Sequence, residues 1–373
     1  MIYRRCGIQF LQKYAACGSP TITQSRTAAP SIHHWMMARS SFSSSSPTKK
    51  VSALSLASKK RKGKKISMIT AYDYPSAVHV GRAGVDIVLV GDSVAMVELG
   101  HETTQQMSIE TMVHHCQSVK RGLEFSKSGS LLIGDMPFGT YEFDDRDIAL
   151  RNAFHFVKEG GCDAVKIEGG SVSRAITAKK IVEGGVAVMG HVGLTPQAIS
   201  VIGGFRAQGR TAVRARELVD EALRLQDAGC FAIVIECVPA NVAQAVTESL
   251  EIPTIGIGAG GHTSGQVLVF HDMLGMLSHP HHEQFVPKFC KKYAKVGHAI
   301  QDGINDFIAE VESGEFPGEA YSPYTMSEKE QEAFQQLLDT DASERQQEHR
   351  KASERLKQTD EYETLHLYGQ NDK

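Results

Sequence analysis

The sequence predicts an α/β fold, a (β/α)8 TIM barrel. Three observations predict it. Eight short apolar runs are spaced along the middle of the chain, a helix–Gly–strand unit recurs between them, and four of the runs end in an acidic side chain. Acids at the carboxyl ends of parallel strands converge on one rim of a barrel, where such folds carry out chemistry.

The runs span residues 66–72, 86–92, 131–136, 164–169, 186–191, 232–237, 254–259 and 266–271. They are continuously apolar rather than alternating, as strands covered on both faces should be. Helical segments separate most of them. The last pair, around Gly258 and Val267, is too close for a full helix. A doubly wound open sheet is the alternative, but no Gly-x-Gly-x-x-Gly opens a helix after an early strand.

The helices show their period. Ile109, Met112, Val113, Cys116 and Val119 fall on one face after Ser108, a good N-cap. Ala149, Ala153, Phe156 and Val157 repeat the pattern, as do Leu218, Ala222 and Leu225. Ala83-Gly84, Gly160-Gly161 and Ala228-Gly229 follow helical segments and precede strands, as expected of glycine just past a helix end.

The 373 residues suffice for one barrel of roughly 250 residues plus tails. A formal charge of −3 marks neither nucleic acid nor an anionic membrane as a partner. No apolar stretch reaches the ~18 residues of a spanning helix. The seven Cys form no Cys-x-x-Cys pair and are odd in number, which fits a reducing compartment rather than a disulfide framework or zinc site. Cys162 and Cys230, at helix-to-strand turns, read as small core residues.

No Asp or Glu precedes Asp73, and residues 1–50 carry Arg4, Arg5, Lys13, Arg26 and Arg39 with a Ser-rich stretch from Ser40 to Ser46. Basic, Ser-rich and acid-free is the composition of a mitochondrial transit peptide. Residues 51–63, ending in the basic run that starts at Lys59, read as a solvated linker. Residues 64–323 form the catalytic barrel, and 324–373 form a polar, charged tail without assigned chemistry.

Asp92 and Asp135 end the second and third runs, and Glu168 closes the next. Oxygen ligation by one or two carboxylates, completed by water and substrate, is what Mg²⁺ prefers. Ser93 either caps the following turn or donates to a substrate carboxylate. Lys166 and Glu168 alternate along one strand and share a face. Inside a barrel that pair is expensive unless it serves a ligand or a mutual salt bridge. Lys166 also has the chemistry of a Schiff-base nucleophile, a role made unnecessary by a metal that holds an oxo-acid. His191 closes the fifth run and Glu236 the sixth, where a partly desolvated carboxylate suits a general base. The loop from Gly256 to Gly261 reads as a tight turn admitting a ligand, because no Lys or Arg follows closely. His114-His115 and His281-His282-Glu283 read as solvated surface.

With these residues in place, the chain resembles the ketopantoate hydroxymethyltransferase family. The motifs carrying the resemblance include Met68-Ile-Thr-Ala-Tyr-Asp73, Val90-Gly-Asp92-Ser93, Asp135-Met-Pro-Phe138, Val165-Lys166-Ile-Glu168-Gly-Gly170, Gly190-His191-Val-Gly-Leu-Thr-Pro196-Gln197, Glu236-Cys-Val-Pro239 and His271-Asp272. They run in unbroken order from about residue 64 to Gly318. The resemblance implies a barrel of the phosphoenolpyruvate/pyruvate type. It implies transfer of a one-carbon unit from 5,10-methylenetetrahydrofolate to 3-methyl-2-oxobutanoate, the step that commits carbon to pantothenate and coenzyme A. Residue by residue, it implies Mg²⁺ ligation by Asp92 and Asp135 with Glu168 at or near the metal. Asp92, Ser93, Asp135 and Lys166 become the oxo-acid contacts, Glu236 the proton acceptor and His191 an assisting group. It also implies a large homo-oligomer, commonly a decamer.

Two readings compete. A Mg²⁺-dependent carbon–carbon lyase of the same barrel type would share Asp92, Asp135 and Lys166 but need no folate. A non-catalytic scaffold would have lost an acid at the rim, and none of the expected acids is missing.

Overall fold

The computed structural model of the chain describes residues 49–204, 206–276, 288–340 and 348–357. All eight expected strands form: β1 (Ile66–Thr70), β2 (Ile87–Val90), β3 (Leu131–Asp135), β4 (Ala164–Lys166), β5 (Ala187–Gly193), β6 (Ala232–Glu236), β7 (Thr254–Ile257) and β8 (Gly265–Leu268). Each pairs in parallel with the next, and β8 pairs with β1 to close the barrel. No helix separates β7 from β8, as their spacing predicts.

The helices pack where their periods place them. α4 (Ile109–Phe125) buries Met112, Val113, Cys116 and Val119, and the Ser108 side chain accepts from the Thr111 amide at its start. α5 (Arg146–Lys158) buries Ala149, Ala153 and Phe156, and α8 (Ala212–Asp227) buries Leu218, Ala222 and Leu225. Gly229, just past α8, adopts φ +94°, and a Cβ there would come within 2.9 Å of Val182. Cys162 and Cys230 are buried, as expected of small core residues.

The apolar interior separates into two layers. One lies between strands and helices. The other fills the barrel with Ile66, Met68, Ile87, Leu89, Leu131, Ile133, Ala164, Met189, Ala232, Val234, Ile255 and Val267. Successive side chains on a strand alternate between its faces, so every second residue of a row points inward. Two positions beyond Ile133, Ala164, Met189 and Val234 stand Asp135, Lys166, His191 and Glu236. The polar rim thus continues the rows that fill the core.

Residues 51–63 are not a solvated linker. They contain α1 (Ala53–Arg61), whose fully buried Leu56 joins the barrel interior. Lys60 Nζ donates to the carbonyls of Thr247, Leu250 and Ile252 at 3.0, 2.6 and 2.9 Å, and Lys59 pairs with Asp86. These partners precede strands, so α1 closes the barrel end opposite the acidic rim. The lysines that look like a solvated run satisfy backbone carbonyls that burial would otherwise leave unpaired.

A helix at Val296–Ser313 follows the barrel, and another at Glu328–Thr340 occupies the polar tail. The transit-peptide expectation falls almost wholly on residues 1–48, and His281, His282 and Glu283 also lie outside the described residues. His114 is exposed on α4, whereas His115 is half-buried with Nδ1 2.7 Å from the Tyr72 carbonyl oxygen. His115 is therefore not the solvated surface expected of it, because the α4 face that meets α2 (Tyr74–Arg82) brings it to that carbonyl.

Candidate active site

The rim gathers all seven residues singled out from the sequence. β3 and β4 are in register at Asp135 and Lys166, and the Lys166 ammonium pairs with Asp135 Oδ2. Glu168, two residues past Lys166 on the same face, places Oε1 3.9 Å from Lys166 Nζ. His191 Nδ1 lies 3.3 Å from Glu168 Oε1, and its Nε2 lies 3.2 Å from Glu236 Oε2. Neither ring nitrogen makes an aligned hydrogen bond, so the imidazole meets both carboxylates mainly through charge. β5 and β6 pair Gly193 with Glu236. A Cβ on Gly193 would come 2.3 Å from the Glu236 carbonyl oxygen, so only glycine lets the two strand ends approach.

Asp92 breaks this pattern. It stands one residue beyond Gly91, which continues the inward row of Ile87 and Leu89, and so lies in the turn after β2. Its backbone N–H is 3.4 Å from Asp135 Oδ2. Ser93 comes next, and its side chain caps nothing. The Ser93 hydroxyl instead lies 2.7 Å from the Tyr72 hydroxyl. Of the two uses read from the sequence, capping is thus removed.

Asp92, Asp135, Lys166, Glu168 and His191 are all buried. Burial, Asp135 and Glu168 together push the Asp92 carboxyl well above the usual carboxylate range. Burial also raises Asp135, against the pull of Lys166. Burial works in the same direction on Glu168, but His191 and Lys166 outweigh it and hold Glu168 below its ordinary value. Burial disfavours the Lys166 charge, yet Asp135, Glu168 and Asp92 leave the ammonium harder to deprotonate than in water. Burial likewise opposes a charged His191, but Glu168 and Glu236 raise it to about 9.

The donors fit a magnesium ion. Asp135 Oδ1 is buried without a hydrogen-bond partner, and burial drives the Asp92 and Asp135 carboxyls toward protonation. A hard divalent cation beside Asp92 and Asp135 would meet both needs. Among the described residues, no group of three or more His, Cys, Asp or Glu could enclose a metal. Glu168 is engaged elsewhere: Oε1 faces His191 and Oε2 accepts from the Gln197 amide at 3.0 Å.

Two residues of this site escaped the sequence reading. Gln197, after β5, donates through Nε2 to Asp92 Oδ2 at 2.9 Å and to the Met136 carbonyl at 3.0 Å. Tyr141, after β3, donates to Gln197 Oε1 and accepts from the Glu168 amide at 3.1 Å. Both sit past strand ends, Tyr141 in a loop and Gln197 in a single 3-10 turn (Pro196–Ala198), where no periodicity marks a side chain as inward. Gln197 ends one of the motifs that carry the resemblance, without a role there, and the sequence signal of Tyr141 is its proximity to acids.

Comparison with known proteins shows the family. The family described as ketopantoate hydroxymethyltransferase matches residues 50–319, a span that begins before α1. A protein of Oryza sativa subsp. japonica named 3-methyl-2-oxobutanoate hydroxymethyltransferase 1, mitochondrial, is 53% identical over 291 residues, covering 78% of this chain and 79% of its own. The Arabidopsis thaliana protein of the same name is 53% identical over 288 residues, covering 77% and 82%. A Heliobacterium modesticaldum protein named 3-methyl-2-oxobutanoate hydroxymethyltransferase is 49% identical over 263 residues, covering 70% and 91%. A match over most of the chain, at such identity, shows that the chain belongs to the ketopantoate hydroxymethyltransferase family.

Proposed function

We propose that the chain transfers a one-carbon unit from 5,10-methylenetetrahydrofolate to 3-methyl-2-oxobutanoate, giving 2-dehydropantoate and tetrahydrofolate. This is the first committed step toward pantothenate and coenzyme A. The observation that carries the reading is the continuous charged array from Asp92 and Asp135 through Lys166, Glu168 and His191 to Glu236. It joins a place for an oxo-acid to a partly exposed carboxylate that a substrate can reach.

Asp92 and Asp135 would hold Mg²⁺, with Glu168 near it, and the ion would supply Lewis-acid stabilisation of negative charge on the oxo-acid. Lys166 adds a fixed positive charge beside the same oxygens. The Ser93 hydroxyl donates to the substrate carboxylate. Glu236 removes the weakly acidic C3 proton, and His191 holds Glu236 in place from the opposite side. The C3 electron pair attacks the methylene carbon of the folate; a carbon–carbon bond replaces one of that carbon's two bonds to the folate nitrogens and a carbon–oxygen bond replaces the other, and the nitrogens take up the C3 proton and one proton of water. One water supplies the product hydroxyl.

Two further parts of the reading concern the chain as a whole. Residues 1–50 direct it to mitochondria; their composition and the plant relatives' names support this. The chain works as a homo-oligomer, of which the family's decamer is the pattern. The helix Val296–Ser313 supports this, with Ile300, Ile304, Phe307, Ile308 and Val311 exposed along one stripe and none of its residues buried. Tetrahydrofolate formation from 3-methyl-2-oxobutanoate, measured with and without Mg²⁺, tests the activity. Consumption of a 2-oxo acid without folate would instead mark a lyase.

A further inference from the structure

Tyr141 and Gln197 form a buried hydrogen-bond chain that can run in only one direction. The backbone N–H of Glu168 donates to the Tyr141 hydroxyl at 3.1 Å. The phenol's own proton is then free for Gln197 Oε1, which lies within hydrogen-bonding reach. The Gln197 amide group must therefore turn its two N–H bonds the other way. There, Asp92 Oδ2 and the Met136 carbonyl, both acceptors, lie at 2.9 and 3.0 Å. A flipped amide would set its oxygen against a carboxylate and a carbonyl.

The rest of the chain is clamped. The Gln197 N–H donates to Glu168 Oε2 at 3.0 Å, and its carbonyl accepts from Gln105 Nε2 at 2.9 Å. The Arg174 guanidinium lies 4.2 Å above the Tyr141 ring and donates to the Tyr141 carbonyl at 3.0 Å. Both Tyr141 and Gln197 are buried. Asp92, by contrast, lies outside the inward strand row and has no strand register to orient it.

We propose that Gln197, polarised by Tyr141, is a positioning residue that orients the Asp92 carboxylate toward a divalent cation. It occupies one carboxylate oxygen and leaves the other for the ion. The inference rests on the assignment of Asp92 as a metal ligand. Partners that orient a metal's direct ligands typically contribute roughly 10–100-fold in affinity.

The test is Mn²⁺ binding to the full chain, followed by electron paramagnetic resonance with no substrate present. Wild type is compared with Asp92→Asn, Gln197→Met and Tyr141→Phe. Gln197→Met keeps length without hydrogen bonds, and Tyr141→Phe keeps the ring beneath Arg174. The expected result is weaker Mn²⁺ binding in all three, by roughly 10–100-fold for Gln197→Met and by a smaller factor in Tyr141→Phe. In turnover, Tyr141→Phe should need more Mg²⁺ for half-maximal rate with its KM for methylenetetrahydrofolate unchanged, a split that general loosening of the fold would not produce. Wild-type Mn²⁺ affinity in Gln197→Met and Tyr141→Phe, with Asp92→Asn impaired, would overturn the inference alone. Wild-type affinity in Asp92→Asn would overturn the metal assignment beneath it. If Gln197→Met fails to fold, Tyr141→Phe decides.

Discussion

His191 Nε2 stands 3.2 Å from Glu236 Oε2. The same imidazole faces Glu168, but the two carboxylates differ in access. The Glu236 side chain is 17% exposed and that of Glu168 is 4% exposed. A general base must be reachable by its substrate, and this difference in access supports the proposal that Glu236 takes the C3 proton. Glu236→Gln keeps size and hydrogen-bonding capacity but cannot accept that proton. Turnover should fall by roughly 10²–10⁴, with oxo-acid and Mg²⁺ binding little changed. Exchange of the C3 hydrogen into deuterated water, with Mg²⁺ and without folate, isolates the step. If wild type exchanges and Glu236→Gln does so at the same rate, the base lies elsewhere and His191 is next.

The barrel and its rim acids were legible because strand register is simple. Each continuously apolar run leads directly to the residue that closes it, as with Asp135, His191 and Glu236, and Lys166 stands two residues before Glu168 on the same face. Ser93 was legible as a site residue but not in its partner, since Tyr72 comes from the turn after another strand. Gln197 and Tyr141 were not legible, because residues past strand ends gain direction only from tertiary contacts. α1 was misread for a different reason. Its single buried leucine precedes a run of lysines, and composition cannot show that Lys60 bonds carbonyls ahead of a strand while Lys59 pairs with Asp86.

The Lys166–Asp135 pair makes a second prediction. Their side chains are 6% and 1% exposed. Removing one member of a buried pair leaves its partner's charge uncompensated, at a typical cost of about 3–5 kcal/mol. Lys166→Met should lose about that much stability in urea unfolding with divalent cations chelated. Adding Mg²⁺ should restore more stability to Lys166→Met than it adds to wild type, because the cation supplies charge beside Asp135. Equal gains in both proteins would separate Asp135 from the metal.

Stability should also depend on pH through His191. Burial opposes its charge, but Glu168 and Glu236 raise its pKa in the folded protein to about 9, above the ordinary 6.5. The folded state therefore holds the proton more tightly than the unfolded chain. The stabilisation is fully present below about 6.5 and disappears as pH rises through about 9. His191→Gln removes it. In metal-free urea titrations, the stability gap between wild type and His191→Gln should be large at about pH 6 and shrink by about pH 9.5. A gap that stays constant or widens with pH would contradict a charged His191.

The last prediction concerns the closed end of the barrel. Leu56 is fully buried and joins the interior layer formed by residues such as Ile66, Leu131 and Ala164. Nothing else from α1 is buried, so Leu56 is the plug and the flanking lysines hold it there. Leu56→Ala leaves a cavity in a core that cannot collapse freely, at a cost of about 2–5 kcal/mol. The KM values should stay near wild type, because the acidic rim lies at the other end of the barrel. Deleting every residue before Lys65 should destabilise further, since it also removes the Lys60 bonds to three carbonyls. Removing only residues 1–48 should leave folding unchanged, as α1 and its contacts remain. Thermal denaturation of the three variants orders these effects, and a chain beginning at Lys65 that melts with wild type would show that α1 contributes nothing to the barrel.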